Sequence, residues 1–199
     1  MNKEKIQEIS DILHELDQRA AFALKDQKYD EALIIYSEIL RAQEEIKLEK
    51  FSGHTMLNIA NICTVKGEYE RALEYVDKAS ELKALQNDPC DSGNIQILRA
   101  NILFMLQRPK EAEELLIQAS KRNHDDVTCG RMALTLFSYY VRIKEYPKAR
   151  KYVDKAINLF RLSNNREELR HALSCRIEYF KLLGQAQYAK YDETELSTL

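Results

Sequence analysis

Glycine and proline are scarce in this chain, five and three among 199 residues, and their scarcity argues against an architecture built from many tight turns. Together with 45% apolar residues, it favours long helices joined by short connections. All three prolines, Pro89, Pro109 and Pro147, stand at expected junctions or in a helix's first turn, where a missing amide donor costs little. No apolar run reaches the roughly 18 residues of a membrane-spanning helix, and no membrane partner is expected. Met1 to Asp11 is charged and lacks the apolar stretch of a secretory signal, so a cytoplasmic location is the expectation. The four cysteines, Cys63, Cys90, Cys129 and Cys175, lie far apart with no Cys-x-x-Cys pair. That spacing argues against structural zinc and gives no reason to expect a disulfide framework. Cys63 and Cys175 are expected within helices, Cys90 and Cys129 in turns.

What the sequence does have is a period. Ala32, Ala72, Ala112, Ala149 and Ala189 stand 40, 40, 37 and 40 residues apart, each in the same pattern of helix, polar turn and helix. Four and seven residues after the first four alanines come further core-type residues: Tyr36 and Ile39, Val76 and Ala79, Leu116 and Ala119, Val153 and Ala156. That is one stripe of a helix, repeated. Twelve residues before each alanine lies another small or apolar residue, Ala20, Ala60, Ala100, Phe137 or Ile177, on the preceding helix. A near-constant period of this kind marks a stacked repeat array, in which no single unit can bury its own apolar face. Five helical hairpins are expected, at about 3–48, 53–86, 92–122, 126–161 and 166–196, in one array spanning residues 1–199. Asn87-Asp88-Pro89, Asn123-His124-Asp125-Asp126 and Ser163-Asn164-Asn165 are polar clusters able to stop one helix and cap the next.

Over residues 13 to 196 the chain resembles the tetratricopeptide repeat family. The second copy carries the resemblance best, with Asn58-Ile59-Ala60-Asn61 in the first helix, Gly67-Glu68-Tyr69 at the turn, then Ala72 and Ala79. The resemblance implies an all-α fold, a right-handed solenoid of about five antiparallel hairpins. These repeats exceed the usual 34 or so residues and look like the long-helix subclass of bacterial peptide-responsive regulators and eukaryotic motor adaptors. Arg19, Arg99 and Arg176 stand where the family usually has leucine.

Charge is near balance overall, but residues 1–52 hold eight basic and twelve acidic residues, whereas 130–169 hold nine and four. The basic residues lie mostly on a helix that faces outward in the family, and no interleaved aromatics suggest base stacking. A solvated face is therefore expected there, and no nucleic acid. His14, His54 and His171 share a register position. Neighbouring helices stand roughly 8 to 10 Å apart, though, and each ligand of one zinc must lie about 2 Å from it. No metal or cofactor is expected, and without a positioned base and nucleophile no enzyme.

In the resembled family the first helix of each hairpin lines the concave face, where an extended peptide commonly binds. Carried onto this chain, that face includes Asp17, Gln18, Ala21 and Leu24, then Leu57, Asn58, Asn61 and Thr64. It continues with Ile97, Leu98, Asn101, Phe104 and Met105, then Arg131, Thr135, Ser138, Val141 and Arg142. Asn58 and Asn61 share a helical face, and Asn101 follows Asn61 by 40 residues; a carboxamide can pair with the backbone of a peptide of any sequence. A clamp for a partner's C-terminal carboxylate is matched only in part, by Asn61 and Arg131, with Leu57, Leu98 and Thr135 where Lys, Asn and Arg would stand. Leu57, Ile97, Leu98, Phe104 and Met105 suggest an apolar floor between Asn anchors instead. The expected function is a protein–protein interaction module holding an extended protein or peptide segment. A signalling-peptide receptor of the bacterial regulator type without a DNA-binding domain is the alternative, and self-association stays open.

Overall fold

The computed structural model describes residues 3–121 and 125–199, with side chains from residue 9 onward. Among the described residues there is helix and no strand. Contacts divide the chain into two compact units, Met1–Leu106 and Gln107–Leu199, each described by itself below.

The first unit contains α1 (Lys3–Lys25), α2 (Tyr29–Glu45), α3 (Glu49–Lys66), α4 (Tyr69–Glu81), the single-turn α5 (Lys83–Gln86) and α6 (Pro89–Met105). Helix α1 packs on α2, α2 on α3, α3 on α4 and α4 on α6, and α3 also touches α6. Ala20, Ala32, Tyr36, Ile39, Ala60, Ala72, Val76, Ala79 and Ala100 are all buried, so the repeated stripe is the core. Helices α1 and α2, like α3 and α4, are joined by two or three residues. The second helix of the expected 53–86 hairpin is broken at Leu82, whose extended backbone (ψ 120°) turns α5 back onto α3. The reason is at Gly53: a Cβ there would overlap the fully buried Leu85 and crowd Leu82.

The second unit contains α7 (Pro109–Ala119), α8 (Asp126–Arg142), α9 (Tyr146–Leu162), α10 (Arg166–Leu182), a 3₁₀ turn (Ala186–Tyr188) and α11 (Lys190–Thr198). The third expected hairpin, 92–122, straddles the two units, with α6 in the first and α7 in the second. Arg122, Asn123 and His124 lie outside the described residues. Consecutive helices again pack in pairs, and α8 touches α10. Ala112, Leu116, Ala149, Val153, Ala156 and Ala189 are buried. Gly130 stands 19 residues before Ala149, as Gly53 does before Ala72 and Gly93 before Ala112, and the Phe160 ring occupies the space its Cβ would need. Three repeats therefore carry glycine in one register position, and at two of them a large side chain fills the space.

Caps follow the expected polar clusters. Asp88 accepts from the Cys90 and Asp91 amides (3.0 and 3.2 Å), Asp125 from Thr128 (2.9 Å) and Asn165 from Glu168 (3.1 Å). These caps start α6 and α8 before Cys90 and Cys129, so both cysteines lie in a helix's first turn rather than in a turn between helices. Six turns share another device: a residue one or two positions past the helix is left-handed, and the next amide bonds back five residues, as Lys28 to Ala23 (2.8 Å), Leu48 to Gln43 (2.9 Å) and Glu145 to Tyr140 (2.9 Å). Glycine suits that conformation, yet Gln27, Lys47, Gln107, Lys144 and Asn164 adopt it with φ between 52° and 61°.

Two of the three arginines at the leucine position, Arg99 and Arg176, are answered by acids. Arg99 pairs with Asp77 and donates to Ser80; Arg176, also 22 residues beyond its partner, pairs with Asp154 (2.6 Å) and with buried Asp192 (2.6 Å). Burial alone would lower the Arg176 pKa, but hydrogen bonds to Asp192 and Asp154 hold it above the ordinary value. A buried guanidinium is tolerated when both faces of its fork are paired.

Candidate binding site

A cleft of about 570 Å³ opens in the first unit. Helix α1 contributes Ile9, Ser10, Leu13, His14 and Asp17; α2 and its turn contribute Ile39, Gln43, Ile46 and Leu48; and α3 contributes Phe51, His54, Thr55 and Asn58. On α1 and α3 these residues recur every three or four positions, so each helix presents one face. Ile39 is core, whereas Phe51 at the mouth is exposed.

The polar groups differ in whether they are occupied. The Thr55 hydroxyl donates to Gln43 Oε1 at 2.8 Å. Gln43 is only 7% exposed, and among the described residues its amide N–H groups have no partner. His14 Nε2 accepts from the Gln18 carboxamide (2.9 Å). His54 donates to Asp91 (3.0 Å), whose other oxygen faces Lys50 at 3.5 Å; Lys50 also bonds Asp88, which raises the lysine's pKa. Asp88 lies below the usual carboxylate range, chiefly because the Asp91 amide donates to it. Asp17 forms no ion pair or hydrogen bond among the described residues. Among the described residues, only the two histidines and Asp17 bring titratable groups to the cleft lining, and no group of three or more metal-ligating side chains exists.

The residues carried over from the family scatter in their state. Asn58 lines the cleft, and Leu57 and Leu98 pack on the core at its edge. Asn61 and Asn101 are exposed in equivalent places on α3 and α6, and like Asn58 they have no hydrogen-bond partner among the described residues. Thr64 donates to the Ala60 carbonyl (2.8 Å). Ile97 is half-buried and Met105 is exposed. Phe104, expected on the apolar floor, is 5% exposed and presents almost no surface to a ligand. In the second unit Ser138 is exposed, Arg131 is engaged by Glu168 at 2.5 Å, and the Arg142 guanidinium lies 5.9 Å from the Tyr139 ring centre.

The basic segment is not a merely solvated face. Arg150 lies over the Phe180 ring (4.7 Å) and Lys148 over Tyr140 (5.1 Å), and Arg161 pairs with Glu195. The aromatics that sequence spacing did not reveal come from neighbouring helices.

Sequence reasoning also missed Gln43. It stands eleven residues after Ala32, continuing the stripe of Tyr36 and Ile39, and a polar residue in an apolar stripe is the signal that could have found it.

No family model matches the sequence, and no curated protein does. Solved structures do. BtubC (BKLC) from P. vanneervenii superposes with a TM-score of 0.71 at 15% identity, over 96% of this chain and 80% of that one. The fold is that of TPR-like repeat proteins. The apo form of RapI follows at 0.67 and 14% identity, over 97% of this chain, which spans 57% of RapI. A Podosopora anserina putative kinesin light chain with TPR-like repeats gives 0.64 at 14% identity, over 94% and 93% of the two chains. The expected fold class, an all-α repeat solenoid of TPR type, is the one found. No helix among the described residues is long and apolar enough to cross a membrane.

Proposed function

We propose that this chain is a non-enzymatic, cytoplasmic interaction module that holds a protein or peptide segment against the first helices of its hairpins. The observation that carries the proposal is the set of carboxamides on α3 and α6: Asn58, Asn61 and Asn101 have no partner among the described residues. A carboxamide offers a donor and an acceptor to a peptide backbone. Helices α3 and α6 touch, so one extended segment could be held by both. Half-buried Leu57 and Ile97 would meet its side chains, with exposed Met105 at the end of α6. Thr64, on α3, has weaker support, since it already donates to the Ala60 carbonyl; Arg131, Ser138 and Arg142 belong to the second unit and stay outside this proposal. TPR-like proteins share the fold and leave the ligand open.

The test is titration of a partner recovered from the source cell against wild type and Asn61→Ala/Asn101→Ala. Each uncharged hydrogen bond contributes on the order of 0.5 to 1.5 kcal/mol net, so the double variant should bind roughly five- to a hundredfold more weakly while remaining folded. Unchanged affinity, with binding abolished by charge reversal at Lys148 and Lys151, would move the site to the basic surface and refute the proposal.

A further inference from the structure

The cleft between α1, α2 and α3, about 570 Å³, falls within the roughly 300 to 1,000 Å³ range of small-ligand pockets. Its chemistry is specific. The floor and walls are apolar, from Leu13, Ile39 and Phe51. One donor, the Gln43 amide, lines the cleft without a protein partner among the described residues, and a ligand that covered it without accepting its hydrogen bond would incur a desolvation penalty. One carboxylate, Asp17, is uncompensated, whereas the nearby Asp88 and Asp91 are already paired with Lys50. The surrounding unit carries 13 Lys and Arg against 19 Asp and Glu. A complementary ligand brings apolar side chains for the walls, a carbonyl for Gln43 and a cation for Asp17.

We infer that this cleft is an anchor site for a short peptide segment in which large apolar residues adjoin a lysine, an arginine or a free N-terminal amine. The inference rests on the peptide-binding reading and adds the chemistry of its anchor. Gln43 donates to a backbone carbonyl of the segment, Asn58 pairs with the next peptide group, Phe51 closes over the apolar side chain, and Asp17 receives the cation. Phe51 stands ten residues, nearly three turns of helix, before Asn61 on α3, and Asp17 is on α1, so these two anchor residues can be lost separately from Asn61.

A phage-displayed library of random seven-residue peptides selected on the full chain provides the probe. Enriched sequences should place Lys or Arg within two positions of Leu, Ile, Phe or Met. The synthetic form of one such peptide, measured by fluorescence anisotropy, should bind Asp17→Lys about tenfold or more weakly, the scale expected for losing a charge-assisted contact. Replacing the peptide's cation by Glu should recover affinity for that variant. Phe51→Ala, an exposed position, should weaken both peptides alike, and the circular dichroism of both variants should match wild type. If Asn61→Ala/Asn101→Ala abolished binding while Asp17→Lys and Phe51→Ala left it unchanged, the anchor inference would fail and the broader peptide reading would stand. If the cleft variants weakened binding and the Asn pair did not, the anchor would stand and the Asn reading would fail. Absence of any enriched motif, or concentration-dependent dimers in sedimentation that Phe51→Ala dissolves, would overturn the anchor, the latter by showing a second copy of the chain as the occupant.

Discussion

Residues 1–106 contain twelve isoleucines and four tyrosines, whereas residues 107–199 contain four and seven, and the two units solve the same packing problem with those different materials. Both use alanine where paired helices come close, and both place a large side chain against a glycine. The first unit fills its core with aliphatic groups and leaves a cleft beside α1. The second fills it with rings and ion pairs: Tyr140 stacks on Tyr152 at 5.5 Å and bonds Glu113, Tyr179 packs edge-on against Phe137 and donates to the Tyr146 carbonyl, and Arg176 bridges three helices. A repeat sequence therefore fixes the spacing of helices without fixing how polar their interfaces are. The first unit offers a cleft, and the second a core joined by rings and ion pairs.

The largest expected difference lies in the arginine pairs. Asp192 is 1% exposed, so Asp192→Ala leaves Arg176 without the carboxylate that holds it through two hydrogen bonds and should destabilise the protein by about 3 to 5 kcal/mol. Asp77→Ala, which removes the more exposed partner of Arg99, should cost about 1 kcal/mol or less. Urea unfolding of both variants gives the ratio, and equal losses would erase the distinction between the units. Next come the glycines. Gly130→Ala must displace the Phe160 ring and should cost about 1 to 3 kcal/mol. Gly53→Ala meets the flexible ends of Leu85 and Leu82 and should sit at the lower end of that range. A third contrast is alkaline. Burial, then the bond to Glu113, raises the Tyr140 pKa above its ordinary 10.0, and burial raises Tyr139, Tyr152 and Tyr179 as well. The folded state thus holds protons that the unfolded state releases, so their stabilising contribution is complete below the ordinary tyrosine pKa and declines as pH rises above it. Stability measured by urea at successive pH values should fall above about pH 10, and Tyr140→Phe should make that fall shallower. The smallest effect concerns the left-handed turn residues: Lys47→Gly and Lys144→Gly should each stabilise by about 0.5 to 1 kcal/mol, with no preference between units.

Much of this was legible before the structure. The alanine period marked buried small positions where helices approach, and the polar clusters at Asp88, Asp125 and Asn165 became caps because their side chains satisfy free amides. The glycine register at Gly53, Gly93 and Gly130 was equally readable and was overlooked. Other features were not available from periodicity. The break at Leu82 depends on what Leu85 finds at Gly53, a contact across more than 30 residues of sequence. Phe104 shares a helical face with Asn101, yet its side chain is drawn into the core, since a large ring gains more from burial than an amide does. The cation–ring contacts of the basic segment join α9 to α8 and α10, and charge counting along one helix does not register them. Of the cleft lining, Asp17 and Asn58 stood among the expected inner-face positions; Gln43 required knowing which stripe residue faced an opening.

The central claim is that ligand recognition belongs to the first unit. Hydrogen exchange of the full chain with and without a saturating library-selected peptide tests it most directly. The account predicts slowed amide exchange in α1, the α2–α3 turn and α3, extending to α6, with α8 to α10 unchanged. Protection confined to α8 and α9, with α1 and α3 exchanging as in the free protein, would contradict it.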